Sequence, residues 1–287
     1  MISIILILLF VFSVLSVPVC HGVISGLYLY GMKIFPGLFI SFILTNILVR
    51  ILQQKNINNP WILVITGLMT GFPNGAYICS WYNKNNPENR LGDMLAGIIN
   101  IPSPAFLISY VYINILEKCI SLPMFLALTY TPVILCSYMA ILLFRDKDNK
   151  KDNAPHIKND KKLIFHFFEE AVDSSINTAL KLGAYVIIFS VIVNIIMHFS
   201  QSNTAGLLIS YLFEISNGLA IIKNAGIPMN ITVLLTVLLD AFGGVCIIMQ
   251  TKSICSSYIS IKKYIYQKLV LCIVCLLYTS PSPRDCS

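Results

Sequence analysis

Asn74, Gly75, Asn100, Ser103, Glu214, Asn217 and Asp240 can do chemistry because each interrupts an otherwise apolar run of the chain. In a bilayer an ionisable side chain costs at least about 2.5–3.5 kcal/mol on insertion scales, so such groups face a water-filled cavity or pair with one another. Glu214 and Asp240 offer charge and a place for a proton, while the asparagines and Ser103 offer hydrogen bonds to a polar ligand. Lys181 is placed to pair with one of the acids, or to snorkel from a helix end. These types suit binding and proton exchange rather than bond cleavage. No H-E-x-x-H or G-x-S-x-G is present, and His21, His156, His166 and His198 are remote from the interrupted runs. No catalytic residue, cofactor or metal site is therefore expected, and the chain does not read as an enzyme.

The elements that position these residues follow from composition. Hydrophobic residues make up 56% of the 287 and charged residues 11%, against about 25% charged in soluble domains. Mean hydropathy is +0.77. The apolar residues fall in runs near the roughly 20 residues that a membrane helix needs. The net charge of +7 sits in short loops and forms no basic patch interleaved with aromatics, which excludes a nucleic-acid surface. Cys79, Cys136, Cys246 and Cys272 lie inside apolar runs and behave as small hydrophobes. Cys272-Ile-Val-Cys275 lacks a second pair or a histidine, so it reads as neither metal nor redox centre.

The predicted fold is all-α: a polytopic bundle of nine spans near 2–19, 25–51, 61–80, 94–117, 121–144, 176–199, 204–223, 229–250 and 262–277. The first segment, 1–24, reads as an uncleaved helix, because no basic n-region or A-x-A site accompanies it. Residues 25–144 form a first repeat plus a connecting helix. Residues 145–172 form a basic loop, with seven Lys and Arg against four Asp between Arg145 and Lys162, followed by an amphipathic stretch from Phe165 to Glu170. Residues 173–274 form a second repeat plus a final helix. Residues 275–287 read as translated sequencing adaptor rather than native chain. Basic loops face the cytoplasm, which puts 145–162, Lys84 and Arg90 inside and the N-terminus and Gln201–Thr204 outside. Lys252, Lys262 and Lys263 then land outside unless a late segment is re-entrant.

Three segments break their helices. Gly71-Phe-Pro-Asn-Gly75, Asn100-Ile-Pro-Ser-Pro104 and Asp240-Ala-Phe-Gly-Gly244 free backbone groups that hydrocarbon cannot satisfy, so they must lie against protein or a cavity. Gly37, Asn74 and Asn100 find counterparts in order at Gly183, Asn217 and Asp240. A duplication follows, its copies parallel on a count of crossings, with 27–117 superposing on 173–250. Interrupted helices at matched places point to a substrate site near the midplane; tight helix packing around small residues is the competing reading.

At Gly71-Phe-Pro-Asn-Gly-Ala76, Arg90 and Asn100-Ile-Pro-Ser-Pro104 the chain resembles the sporulation integral membrane proteins with duplicated nucleoside-recognition, or Gate, domains. Glu214-Ile-Ser-Asn-Gly218 and Ala241-Phe-Gly-Gly244 match the second repeat, with departures at Asn217 and Asp240. The resemblance, over about 26–250, implies a multi-pass protein of the bacterial cytoplasmic membrane or of the membrane around the forespore. It implies movement of a small anionic metabolite, a dipicolinate-like dicarboxylate, during endospore formation. Asn74, Gly75, Asn100, Ser103, Glu214, Asn217 and Asp240 would line the path. Expected partners are the lipid bilayer, that metabolite, and a second copy or other spore membrane proteins. The alternative is a non-transporting scaffold for the spore envelope.

Overall fold

The computed structural model describes every residue except 1, 5, 7–9, 11–14, 55–58, 87–89, 145–160, 201–203, 256–257 and 280–287. The basic loop at 145–160 and most of the first expected span lie outside the described residues. All regular structure among the described residues is helical. Four helices are long and apolar enough to cross a membrane, or five if one bent pair counts as a span. That supports a multi-pass membrane protein, with fewer straight crossings than the nine expected.

α1 (Ser16–Tyr28) continues through a π-helical turn, Leu29–Ile34, into α2 (Phe35–Gln54). The two arms bend by 60°, where the π-turn and Pro36 weaken the backbone ladder. Further along come α3 (Pro60–Thr70), α4 (Asn74–Asn85), α5 (Leu91–Ile99) and α6 (Pro104–Phe106), the last extended by a π-helical stretch, Leu107–Ile115. α7 (Leu122–Phe144) precedes the break at the basic loop, and α8 (Lys161–Ser200) follows it. The Phe165–Glu170 stretch is thus the first part of a long helix rather than a separate element. Then come α9 (Thr204–Phe213), α10 (Ile215–Asn224), α11 (Met229–Phe242), α12 (Gly244–Cys255) and α13 (Ile261–Thr279).

α1–α2 runs antiparallel along α8. Gly22 and Gly26 let the backbones touch: a Cβ on Gly22 would stand 2.5 Å from the Val191 Cα, and one on Gly26 2.9 Å from that of Ile187. Tyr30 donates to the Ala179 carbonyl at 2.6 Å, Asn46 to Ser175 at 3.0 Å, and Arg50 pairs with Glu170. Small residues allow this approach, which substitutes for a hydrophobic driving force inside lipid.

The segments read as third and seventh spans turn back. Asn59 caps α3 by accepting from the Trp61 amide at 2.9 Å, with Pro60 in the first turn. Trp61 stacks on Tyr138 near the end of α7, and Asn83 at the far end of α4 donates to the Tyr258 carbonyl at 2.9 Å. Asp93, opening α5, accepts from Lys263 and the Ser260 amide, each at 2.7 Å. Lys263 itself lies in one surface groove with Met94 and Leu143. Both ends of α3–α4 therefore lie at one end of the bundle, and Gly71–Pro73 is the tip of a hairpin. α9–α10 forms a second hairpin from the opposite end. Its last turn bonds through Lys223 to Glu117 at 2.8 Å and to the Asn114 carbonyl at 2.6 Å, and its tip packs Phe213 on Phe189. The two hairpins thus point in opposite directions.

Hydrogen bonding to Lys223 holds the exposed Glu117 carboxyl below the usual carboxylate range. A lowered folded value means that this tie contributes above the unfolded glutamate range and is lost as pH falls through the folded value.

At the first tip Gly71 has φ +72°, and a Cβ there would stand 2.4 Å from the Ser103 amide nitrogen. Gly71→Ala is expected to destabilise the protein by on the order of 3 kcal/mol, since it adds backbone strain to a backbone clash. A thermal unfolding midpoint in detergent matching the parent would refute this close approach.

Candidate functional site

The hairpin tips meet at a buried chamber. Phe72 from the first tip and Glu214, Ile215 and Ser216 from the second line it, with Ser103, Gln250 and apolar residues of α2 and α8. It offers about 20 Å³ of room for water centres, enough for about one water molecule. Next to it lies an open vestibule of about 290 Å³, with Lys33 and Asn114 on its wall. The two share Ile34, Leu38, Ser103 and Phe106 among their lining residues.

Two of the lining groups are helix caps. Glu214 has extended backbone, φ −143° and ψ 125°, and its Oε2 accepts from the Asn217 amide at 2.7 Å. Ser103 Oγ accepts from the Phe106 amide at 3.3 Å, with Pro104 opening the helix. Helix N-termini carry unpaired N–H groups and partial positive charge, which suit an anion. At α10 the Glu214 carboxylate already fills that role. Gln250 donates to Cys246 Sγ at 3.1 Å, and its buried Oε1 has no hydrogen-bond partner among the described residues.

The seven expected site residues do not all gather here. Ser103 and Glu214 line the chamber; the other five do not. Asn74, 4% exposed, donates to Thr45 at 3.4 Å. Gly75 packs on the second break, where a Cβ would stand 2.9 Å from the Ile99 carbonyl oxygen. Asn217 donates to Ser190 at 3.1 Å and lies in a separate open groove beside Asn194. Asp240 is fully buried on α11, and among the described residues neither carboxylate oxygen has a hydrogen-bond partner. Lys181 is exposed and pairs with neither acid.

Asn100 is a hub. Its Oδ1 accepts from the Ala76 amide of hairpin one at 3.3 Å. Its Nδ2 donates to Thr251 on α12 at 3.3 Å and to Tyr264 on α13 at 2.8 Å, and its backbone carbonyl accepts from Lys268. Lys268 was not among the residues expected from sequence, and neither were Tyr264, Ser216 or Gln250. The signal for Lys268 is present in the chain: a lysine inside the expected span 262–277 is by default functional.

No family model, curated protein or solved structure matches this chain. The roles assigned to its residues therefore rest on their geometry.

Proposed function

We propose that this protein is a secondary transporter of a small anionic metabolite, a dicarboxylate of dipicolinate type. In this reading its two halves are inverted copies, each a long helix, a re-entrant hairpin, a broken span and a further helix. The observation that carries the reading is the small chamber between two hairpin tips that enter from opposite ends, next to a lysine-bearing vestibule with which it shares four lining residues. Transporters built from inverted repeats place their site where discontinuous helices meet and open it alternately by moving one repeat against the other.

The ends of the bundle agree with this orientation. With the 145–162 loop in the cytoplasm, α8 runs outward and the second hairpin dips from outside. α11–α12 then returns inward, so Lys252, Lys262 and Lys263 fall on the cytoplasmic side with Lys84 and Arg90, as basic residues do. The misfit left by straight crossings disappears. In this reading the membrane is the bacterial cytoplasmic membrane or the one around the forespore.

Glu214 holds the α10 amide while no substrate is bound. An arriving carboxylate competes for that amide, and Glu214 leaves it by taking up a proton. Transport would thus couple to a proton gradient, and the chain has no G-x-x-x-x-G-K-[ST] motif for ATP. The scaffold reading draws on Asn74, which is buried against Thr45 away from the chamber. Uptake of labelled dipicolinate and other small dicarboxylates into proteoliposomes holding the full chain decides between them. Accumulation above protein-free vesicles, raised by an acidic outside, supports transport; none with any dicarboxylate leaves the scaffold.

A further inference from the structure

Lys268 is fully buried on α13, yet among the described residues no carboxylate lies within ion-pair reach of it. Its ammonium instead donates to two backbone carbonyls: that of Asn100, and that of Ala241 at 2.9 Å. It also sits 5.7 Å above the centre of the Tyr264 ring.

The two carbonyls belong to the interrupted helices. Asn100 ends α5, where the chain leaves the helix for Ile101 to Ser103. Ala241 lies in the last turn of α11, ahead of Gly243 in the left-handed conformation with φ +83°. A helix C-terminus leaves its last carbonyls without intrahelical partners and carries partial negative charge. In a membrane interior those carbonyls need a donor or a cation, and half-helix C-termini in transporters commonly meet a free sodium ion or proton.

We propose that Lys268 is a tethered cation: its ammonium occupies the monovalent-cation site formed by the C-terminal carbonyls of both broken helices. One covalently attached charge then holds the break of the first half against that of the second, and no free sodium is required there. Asn100 carries the link onward to hairpin one through Ala76, and Tyr264 and Thr251 fix the Asn100 amide. In the transport reading this makes the carrier independent of sodium, but the proposal concerns a binding site and is tested without transport.

The experiment follows thermal unfolding of the full chain in detergent, in sodium, ethylammonium or choline chloride at equal ionic strength. The wild-type midpoint should be the same in all three, since the site is already filled. Lys268→Ala should lower the midpoint by roughly 5–10 °C in choline, and sodium or ethylammonium should restore most of the loss. Lys268→Met should lose stability without rescue, because its side chain fills the space that a free cation would need. A wild-type midpoint that rises in sodium over choline overturns the proposal, even if neither variant folds. So does a Lys268→Ala loss that no cation repairs, or a Lys268→Met midpoint equal to wild type. Absence of uptake in proteoliposomes would sink the transport reading and leave this result standing.

Discussion

Glu214→Gln should leave the protein folded and abolish its accumulation of dicarboxylate against a gradient. The substitution keeps length and shape, and the amide oxygen of glutamine can still accept from the Asn217 amide that Glu214 caps at 2.7 Å. A neutral acceptor is weaker than a charged one, so a stability loss of about 1 kcal/mol is expected. The carboxylate cannot be replaced in a second respect: a glutamine holds the same charge whether or not substrate is present. Uptake driven by an acidic outside should fall by on the order of tenfold or more, a change in effective driving interaction of about 1.4 kcal/mol or more. Exchange of labelled for unlabelled substrate without a gradient should persist. Proteoliposome uptake with and without an imposed pH difference separates the two. If Glu214→Gln accumulates substrate like the parent, Glu214 is only a helix cap.

Sidedness gives the second large effect, because it is all or none. In a cysteine-less background, Tyr258→Cys should react with an impermeant thiol reagent only from the cytoplasmic side, and Asn224→Cys only from outside. Tyr258 is 46% exposed at the junction of α12 and α13, beside Lys262 and Lys263. Asn224 closes hairpin two next to Lys223, which reaches across to Glu117. Nine straight crossings assign both residues to the opposite sides, so each label distinguishes hairpins from spans. Reaction of Tyr258→Cys from outside in intact cells would remove the re-entrant hairpins and the inverted arrangement together.

What could be read in the chain itself was local. Long apolar runs and scarce charge pointed to a bundle of membrane helices, because backbone groups in hydrocarbon leave helices or closed barrels as the only spanning structures. The breaks at Gly71–Gly75, Asn100–Pro104 and Asp240–Gly244 were legible because proline and adjacent glycines weaken a helix wherever they fall. Glu214 and Ser103 stand out as candidates for the same reason: each is a polar group at a break. Hydropathy, however, is blind to direction. A run of about 20 apolar residues looks alike whether it crosses the membrane or folds back at its middle, so 61–80 and 204–223 read as spans. Only contacts between distant segments, such as Asn83 with Tyr258 and Lys223 with Glu117, show where α4 and α10 end. The partners of the polar residues were hidden likewise. Asn74, Asn100, Asn217 and Asp240 each stand near a break, yet helix rotation directs their side chains toward Thr45, Tyr264, Ser190 and, for Asp240, an interior that offers no partner among the described residues. Position along a chain sets depth in a helix, whereas packing against neighbours sets which way a side chain faces. For that reason the tertiary structure alone brought Lys268 to the ends of both broken helices.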